Sequence, residues 1–169
     1  MKRLIPLIVL AGVVALVVAL STGGGGKNQG ANAQGGGPYG GKSKTPAAAA
    51  AAIDVRATAL GRTLVDAKGR TLYLFEADKS NASNCSGACL SIWPPLTSGA
   101  KPQAKGGVLA AKIGTISNTG GKYQVTYNGH PLYYYVGDQK PGDTKGQGLN
   151  QFGAEWYVLA PTGNKIDHG

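Results

Sequence analysis

Residue types that carry much of the chemistry of enzymes and metal proteins are scarce in this chain of 169 residues. It has two cysteines, two histidines and one methionine, which is Met1. The Gly-x-Ser-x-Gly, His-Glu-x-x-His and phosphate-loop patterns do not occur in it. With so few nucleophiles and metal ligands, the sequence predicts a protein that is not an enzyme and that holds no cofactor.

Acidic residues are also few, with 8 against 17 basic ones, and the net charge is +9. Five of the basic residues precede residue 53, so the remainder carries 12 basic and 8 acidic side chains, or +4. No basic run is interleaved with aromatic residues, which is the pattern typical of nucleic-acid binding. We therefore expect no nucleic-acid partner.

The chain begins with one long apolar run. Lys2 and Arg3 precede the uncharged stretch from Leu4 to Leu20, which as a helix would be roughly 25 Å long. Residues 1–21 are either a signal peptide, cleaved after Ser21, or a membrane anchor with Lys2 and Arg3 in the cytoplasm. Both interpretations predict an extracytoplasmic protein, secreted or held at the outer face of the cytoplasmic membrane.

Glycine and alanine dominate the next segment, residues 22–52, which includes four consecutive Gly and six consecutive Ala. Such a segment has little to bury, so we expect a disordered linker. Residues 53–161 are the predicted domain, and the polar residues 162–169 are expected to form a flexible tail.

Within the domain one motif occurs twice. The ten residues Gly69–Asp78 return as Gly129–Asp138, with Gly, Leu-Tyr and Asp kept at an offset of 60. A spacing shared over this length indicates an internal duplication, with repeat 1 at about 60–96 and repeat 2 at about 113–161.

The repeated segment is typical of a strand covered on both faces. Over Arg70–Glu76, Tyr73 and Phe75 share one face, while Leu72 and Leu74 share the other. The second copy follows an Asn-Gly pair, a strong signal for a tight hairpin turn. We expect a mostly antiparallel all-β fold in which two tandem, pseudo-symmetric repeats bury their apolar faces against each other in one small domain.

The motif residues Tyr73, Asp78, Tyr133 and Asp138 are the first candidate site. Tyr and Asp are five residues apart in each repeat, so on a continuous strand they would point to opposite faces. We expect each strand to end before its Asp, whose carboxylate then accepts loop N–H groups. The alternative is Ca²⁺ binding, to which three further residues could contribute oxygen ligands: Asp143, Ser80 and Asn81.

The two cysteines, Cys85 and Cys89, are one helical turn apart. In an exported chain an even, closely spaced pair favours a disulfide. Two thiolates at this spacing could instead hold Cu(I) or act in redox chemistry. This is the alternative role of the two cysteines, and they are the weak metal candidate.

Aromatic residues form the last candidate set: Phe75, Trp93, Tyr135 and Trp156. We expect these rings in the core or at its rim. A fraction of the aromatic side chains could instead form an exposed groove for a glycan or a hydrophobic partner.

Taken together, these residues resemble a known family, the secreted-repeat predicted lipoproteins of bacteria, which carry tandem Tyr-x4-Asp motifs. The matching features are the two Tyr/Asp pairs, the block from Cys85 to Leu96, and the block from Gly148 to Tyr157. The resemblance covers about residues 60–161 and implies export, a duplicated domain and no established activity. Such lipoproteins carry a lipid-attachment Cys just after the apolar run, whereas the first Cys here is Cys85.

These observations predict an exported cell-envelope protein, a non-enzymatic binding or structural module. Its partner would be an envelope component or a small ligand, with the membrane as a further partner if the N-terminal segment is uncleaved. The alternative function is an extracytoplasmic redox or copper-handling protein that uses Cys85 and Cys89.

Overall fold

A computed structural model describes residues 49–117 and 122–167 of the chain, so the predicted signal or anchor segment and most of the predicted linker lie outside the described residues. The described part is mostly strand. In chain order its elements are β1 (Ala52–Thr58), β2 (Gly61–Asp66), β3 (Tyr73–Phe75), the helix α1 (Ala88–Ile92), β4 (Thr97–Ser98), β5 (Gln103–Ala104), a 3₁₀ turn (Ala110–Lys112), β6 (Ile113–Ser117), β7 (Tyr123–Tyr127), β8 (His130–Pro131), β9 (Leu149–Gln151) and β10 (Ala154–Val158).

Three small sheets are present in the described residues, with strand orders β2-β1-β5, β3-β10-β9 and β4-β7-β6, and β8 adds to β7. All pairs are antiparallel except β1 with β5. The predicted turn between β7 and β8 is present, because Asn128 and Gly129 have φ of 52° and 84°. The mostly antiparallel all-β prediction is confirmed.

The two repeats form equivalent backbone hydrogen bonds, each reaching into the other half of the domain. Leu64 N–H donates to Leu159 at 2.8 Å, and Val125 N–H donates to Leu96 at 2.8 Å. Further along, Glu76 N–H donates to Glu155 at 3.0 Å, and its counterpart Val136 donates to Ile92 at 3.1 Å. Acceptors in the two halves are 63 residues apart in both cases, so the duplication in sequence is a pseudo-symmetry in structure.

The strand predicted over Arg70–Glu76 is shorter than expected, since β3 includes only Tyr73–Phe75. The reason is that consecutive residues change partners. Thr71 forms a bridge with Val65, Tyr73 forms one with Tyr133, and all three residues of β3 pair with β10. Four consecutive side chains here are nonetheless buried, as the two-sided apolar pattern predicts.

Those four side chains supply two separate core clusters. Leu72 and Leu74 pack into one cluster with residues of the β1-β2 and β6-β7 hairpins. Tyr73 and Phe75 pack into the other, which also includes both tryptophans and both cysteines. Alternation along one short segment therefore connects the aliphatic and the aromatic halves of the core.

Both ends of the described domain extend beyond the expected limits. The carbonyls of Ala49 and Ala51, inside the predicted linker, accept N–H groups of Gly99 and Gln103 at 3.2 and 2.8 Å. Near the other end Ile166 is 9% exposed and donates its N–H to Val158 at 2.9 Å. Residues up to Asp167 thus pack on the domain rather than fray, and 168–169 lie outside the described residues.

Among the residues described, no helix is long and apolar enough to cross a membrane.

Candidate functional site

The two motif tyrosines lie side by side at the centre of the domain. Tyr73 and Tyr133 form an antiparallel bridge in which each N–H donates to the other's carbonyl, at 2.9 and 3.0 Å. Both side chains are 0% exposed. This reciprocal bridge is where the two repeats meet, so an approximate two-fold axis passes between the tyrosines.

Each tyrosine hydroxyl reaches the aspartate of the other repeat. Tyr73 Oη donates to Asp138 Oδ2 at 2.7 Å, and Tyr133 Oη donates to Asp78 Oδ2 at 2.8 Å. We call these two hydrogen bonds the Tyr–Asp exchange. Tyr and Asp of one repeat are kept apart by their odd spacing, but each contacts its partner in the other repeat. This pairing cannot be predicted from a single repeat.

The second oxygen of each aspartate holds the loop that follows it. Asp78 Oδ1 accepts the N–H of Asn84 at 2.6 Å, and Asp138 Oδ1 accepts the N–H of Lys145 at 2.9 Å. These are the loop N–H bonds expected of carboxylates at this place in the sequence. Each aspartate therefore ties its own loop to the other repeat's tyrosine.

Burial controls the protonation of all four groups. It raises the pKa of Asp78 and of Asp138 above the usual value, and the hydrogen bonds that each carboxylate accepts lower it only in part. Burial also raises the pKa of Tyr73 and of Tyr133, with the carboxylates adding to the effect. The phenols therefore stay protonated and act as donors, which suits structural hydrogen bonds rather than nucleophilic chemistry.

The predicted aromatic set forms one continuous stack of four rings. Its order is Phe75, Trp156, Trp93, Tyr135, with centroid separations of 4.1, 3.9 and 4.5 Å. The tryptophans are parallel to within 4° across the pseudo-two-fold axis. Three of the rings are buried and Tyr135 lies at the rim. These rings do not form an exposed groove.

Gln151 forms hydrogen bonds with both tryptophans, and no pattern in the sequence indicates this role. Trp93 Nε1 donates to Gln151 Oε1 at 2.8 Å, and Trp156 Nε1 donates to the Gln151 carbonyl at 3.1 Å. A buried indole N–H needs an acceptor. One residue at the end of β9 thus satisfies the two tryptophans.

Gly146, in the loop after Asp138, packs against the core. A Cβ placed on it would lie 2.7 Å from Trp93 and 2.9 Å from Tyr73, and its N–H contacts Tyr73 Oη at 3.3 Å. The glycine is required by close approach to the rings, which the Gly-x-Gly pattern alone does not reveal.

The cysteine pair lies under the same aromatic cluster. Cys85 and Cys89 form a disulfide, and their side chains are 6% and 3% exposed. The bridge precedes Trp93, whose N–H donates to the Cys89 carbonyl at 2.8 Å. It therefore ties the loop after Asp78 to the helix that positions one ring of the stack.

Residues of the calcium alternative do not come together. Asp143 Oδ2 accepts N–H groups of Gln139 and Lys140 at 3.0 and 3.2 Å. Asn81 lies instead beside the β7-β8 turn, with its N–H donated to Gly129 at 2.8 Å. Across residues 49–117 and 122–167, no three His, Cys, Asp or Glu side chains are grouped as a metal site.

An ion pair outside the predicted set borders the domain surface. Arg70 Nη2 lies 2.7 Å from Asp66 Oδ2, and its guanidinium lies 3.9 Å from the centroid of the Tyr134 ring. Burial raises the pKa of Asp66, but hydrogen bonds from Arg70 and Lys68 outweigh it, so this pKa is lowered. The surface charge of Arg70 is thereby already neutralised.

One opening among the described residues lies outside the repeated motif. It is a cleft of about 440 Å³ between the loop after β4 and the β6-β7 hairpin. Its exposed aromatic residue, Tyr123, was not among the predicted candidates. We call this opening the β6-β7 cleft; its lining is Gly99, Ala100, Lys101, Pro102, Ala110, Ile113, Gly114, Thr115 and Tyr123.

Comparison with known families matches the two halves separately. The profile of a family described as a secreted repeat of unknown function matches residues 55–97 and again residues 114–160. The chain belongs to this secreted-repeat family. Its two matched segments end close to Leu96 and Leu159, the equivalent acceptors in the two repeats. No curated protein and no solved structure matches the chain.

Proposed function

We propose that this secreted-repeat protein is a non-enzymatic binding or structural module of the cell envelope. The supporting observation is the Tyr–Asp exchange, in which all four motif residues are occupied by one another and by loop N–H groups. The repeated motif thus builds a scaffold, and none of its own two acids and two phenols is left poised for proton transfer. Function then rests on what the scaffold presents at its surface.

The test is saturable binding of the full exported chain to isolated cell envelopes. Labelled chain should bind to a limit and be displaced by unlabelled chain. The chain unfolded by heat is the control, since it presents no scaffold. Binding that is absent, or that is the same for folded and unfolded chain, would refute the module.

A redox or copper-handling function is the second candidate, because the only two cysteines lie within bonding distance. Their burial beside Trp93 favours a structural bridge. Mass measurement after alkylation of unreduced chain separates the two: no alkylated thiol fits the bridge. Two alkylated thiols, with Cu(I) bound in a one-to-one ratio, would favour the second candidate.

Attachment to the envelope is part of the proposal. Residues 1–21 serve as a cleaved signal peptide or as the anchor, and the linker carries the domain away from the membrane. A reporter that works only outside the cytoplasm, fused after Gly169, should be active. The N-terminal sequence of the mature chain then distinguishes a signal peptide from an anchor.

A further inference from the structure

The β6-β7 cleft has the size of a ligand site. Its volume of about 440 Å³ lies within the range of roughly 300–1,000 Å³ common for such sites. One wall is the loop that leaves β4, and β4 pairs with β7 at Ser98 and Tyr123. The opposite wall is the start of β6. The β6 wall is fixed by its pairing with β7, and the loop wall is joined to the same sheet through β4.

Tyr123 presents an aromatic face to this cleft. Its side chain is 52% exposed, and no described residue accepts or donates a hydrogen bond at its hydroxyl. Along β7, Tyr123 is exposed, whereas the four residues that follow it are all buried. With Ile113 and Pro102 also in the lining, the cleft has an apolar floor beside an open ring.

The charge of the domain is concentrated in this region. No acidic residue occurs between Asp78 and Asp138, while five lysines do: Lys79, Lys101, Lys105, Lys112 and Lys122. From residue 53, the rest of the chain has seven basic and eight acidic residues. This stretch of sequence is therefore +5, against −1 for the rest from residue 53, and every residue that lines the cleft belongs to it.

Four of these lysines are exposed and form no ion pair with a described residue: Lys79 and the three nearer the cleft in sequence. Lys101, Lys105 and Lys122 form no ion pair within residues 49–117 and 122–167, and Lys101 lines the cleft itself. Lys112 is held by Asn128 Oδ1 at 3.0 Å. Unpaired cations near an apolar floor favour an anionic ligand that also has apolar faces.

We propose that the β6-β7 cleft binds an acidic polysaccharide, whose sugar rings stack on Tyr123 while their carboxylate or phosphate groups face Lys101 and its neighbours. This deepens the binding module proposed above and rests on it. A sugar ring has an apolar face that suits an aromatic ring, and a charged polymer gains from several cations in one field. Acidic polymers are also available to an exported protein.

The experiment measures binding of the full chain to polygalacturonate, an acidic polysaccharide. Fully methyl-esterified polygalacturonate is the matched ligand without charge, and poly-glutamate is an anion without sugar rings. We expect the acidic polysaccharide to bind at least about tenfold more tightly than either, and to weaken as salt is added.

Two variants locate the site, each with a matched control. Tyr123→Ala should weaken binding by about three- to tenfold, whereas Phe152→Ala, at another exposed aromatic residue, should not change it. Lys101→Gln should weaken binding and lower its salt dependence, whereas Lys140→Gln should do neither. Thermal unfolding checks that all four variants are folded.

The remaining outcomes each decide against the proposal. Equal binding of poly-glutamate would show a plain anion site, and binding only to vesicles with anionic lipids would show a membrane surface. A loss in Phe152→Ala equal to that in Tyr123→Ala would place the site elsewhere. Binding to isolated envelopes without any polysaccharide binding would refute this inference and leave the module intact, whereas failure of both would refute both.

Discussion

The two repeats share their buried half and differ in the loops that follow the aspartates. Both supply a tyrosine, an aspartate and a tryptophan to one pseudo-symmetric centre. After Asp78, however, repeat 1 continues into a disulfide and the helix α1, while repeat 2 continues into a glycine-rich loop and the β9-β10 hairpin. The buried residues of each repeat are constrained because they contact the equivalent residues of the other repeat. Each loop, by contrast, needs only to bring one N–H group to a carboxylate.

This difference explains why the symmetry is approximate at the tryptophans. Gln151 lies in β9, and repeat 1 has its disulfide segment at the equivalent position, 63 residues earlier. One repeat therefore supplies the acceptors for both indoles, since Gln151 accepts from Trp93 and from Trp156. Asymmetric loops are therefore required by the symmetric stack.

The largest expected effect tests the ring stack. Trp93→Ala and Trp156→Ala should each lower the free energy of unfolding by about 3–5 kcal/mol, because each leaves a cavity in a packed core. Trp156→Ala should cost more, since its outer neighbour Phe75 is buried while Tyr135, next to Trp93, is at the rim. Urea unfolding measures both.

An exposed ring provides the control for the stack. Tyr123→Ala should change the free energy of unfolding by less than about 0.5 kcal/mol. Losses below about 1 kcal/mol for both tryptophans would mean that the stack contributes far less than its burial implies.

The two hydrogen bonds of the Tyr–Asp exchange should contribute unequally to the free energy of unfolding. Tyr73→Phe removes the donor to Asp138 and the partner of the Gly146 N–H, whereas Tyr133→Phe removes the donor to Asp78 and a contact with the Ser83 hydroxyl at 2.7 Å. A hydroxyl can rotate toward water and a backbone N–H cannot. Each change should cost about 1–3 kcal/mol of unfolding free energy, with Tyr73→Phe the larger.

Tyr123→Phe is the control here, because its hydroxyl has no described partner. Chemical denaturation of the two single variants and the double variant also gives their coupling. If Tyr133→Phe lowered the free energy of unfolding more than Tyr73→Phe, the loop after Asp78 would depend on the hydrogen bond from Tyr133 even though the disulfide also holds it.

Much of this architecture could be predicted from the sequence, because the motif occurs twice at a fixed offset and alternates between aromatic and aliphatic residues. The antiparallel fold, the burial on both faces and the turn at Asn128-Gly129 all follow from local patterns. The exchange between repeats could not be predicted, since it joins residues 65 and 55 positions apart. Gln151 and Gly146 were missed for the same reason: their roles exist only once the rings are assembled.

A smaller effect should appear in the pH dependence of stability. Burial raises the folded-state pKa of Asp78 and Asp138 above the usual aspartate value, so the folded state binds their protons more tightly. Their contribution is then fully present below the unfolded pKa and is lost as pH rises through the folded pKa. Relative to the double variant Asp78→Asn Asp138→Asn, wild type should lose stability as pH rises from below the usual aspartate pKa through the raised folded-state pKa.

The comparison with this variant matters because Asp66 titrates in the opposite sense. Its lowered pKa adds stability that is lost as pH falls, and both proteins retain that group. Unfolding midpoints in urea at each pH supply the difference. If wild type instead gained stability over the double variant as pH rises, the hydrogen bonds to the two aspartates would outweigh their burial. Ionisation of these aspartates would then stabilise the fold rather than destabilise it.

The smallest expected effect compares the hairpin turns of repeat 2. Both turns are a residue with positive φ followed by glycine: Asn128 at 52° before Gly129, and Phe152 at 59° before Gly153. Asparagine tolerates this conformation and a bulky aromatic residue does not. Asn128 also donates to the Gly163 carbonyl at 3.3 Å, while the Phe152 side chain is 47% exposed.

Phe152→Asn should therefore raise the free energy of unfolding by about 1 kcal/mol, because strain is relieved and little apolar surface leaves the core. The reverse change, Asn128→Phe, should lower it by at least as much, since it adds the strain and removes a hydrogen bond. Thermal unfolding of both variants measures the pair. A loss of stability in Phe152→Asn would show that the exposed ring packs on the domain in solution, and the turn of β9-β10 would then be held by its side chain rather than by its backbone.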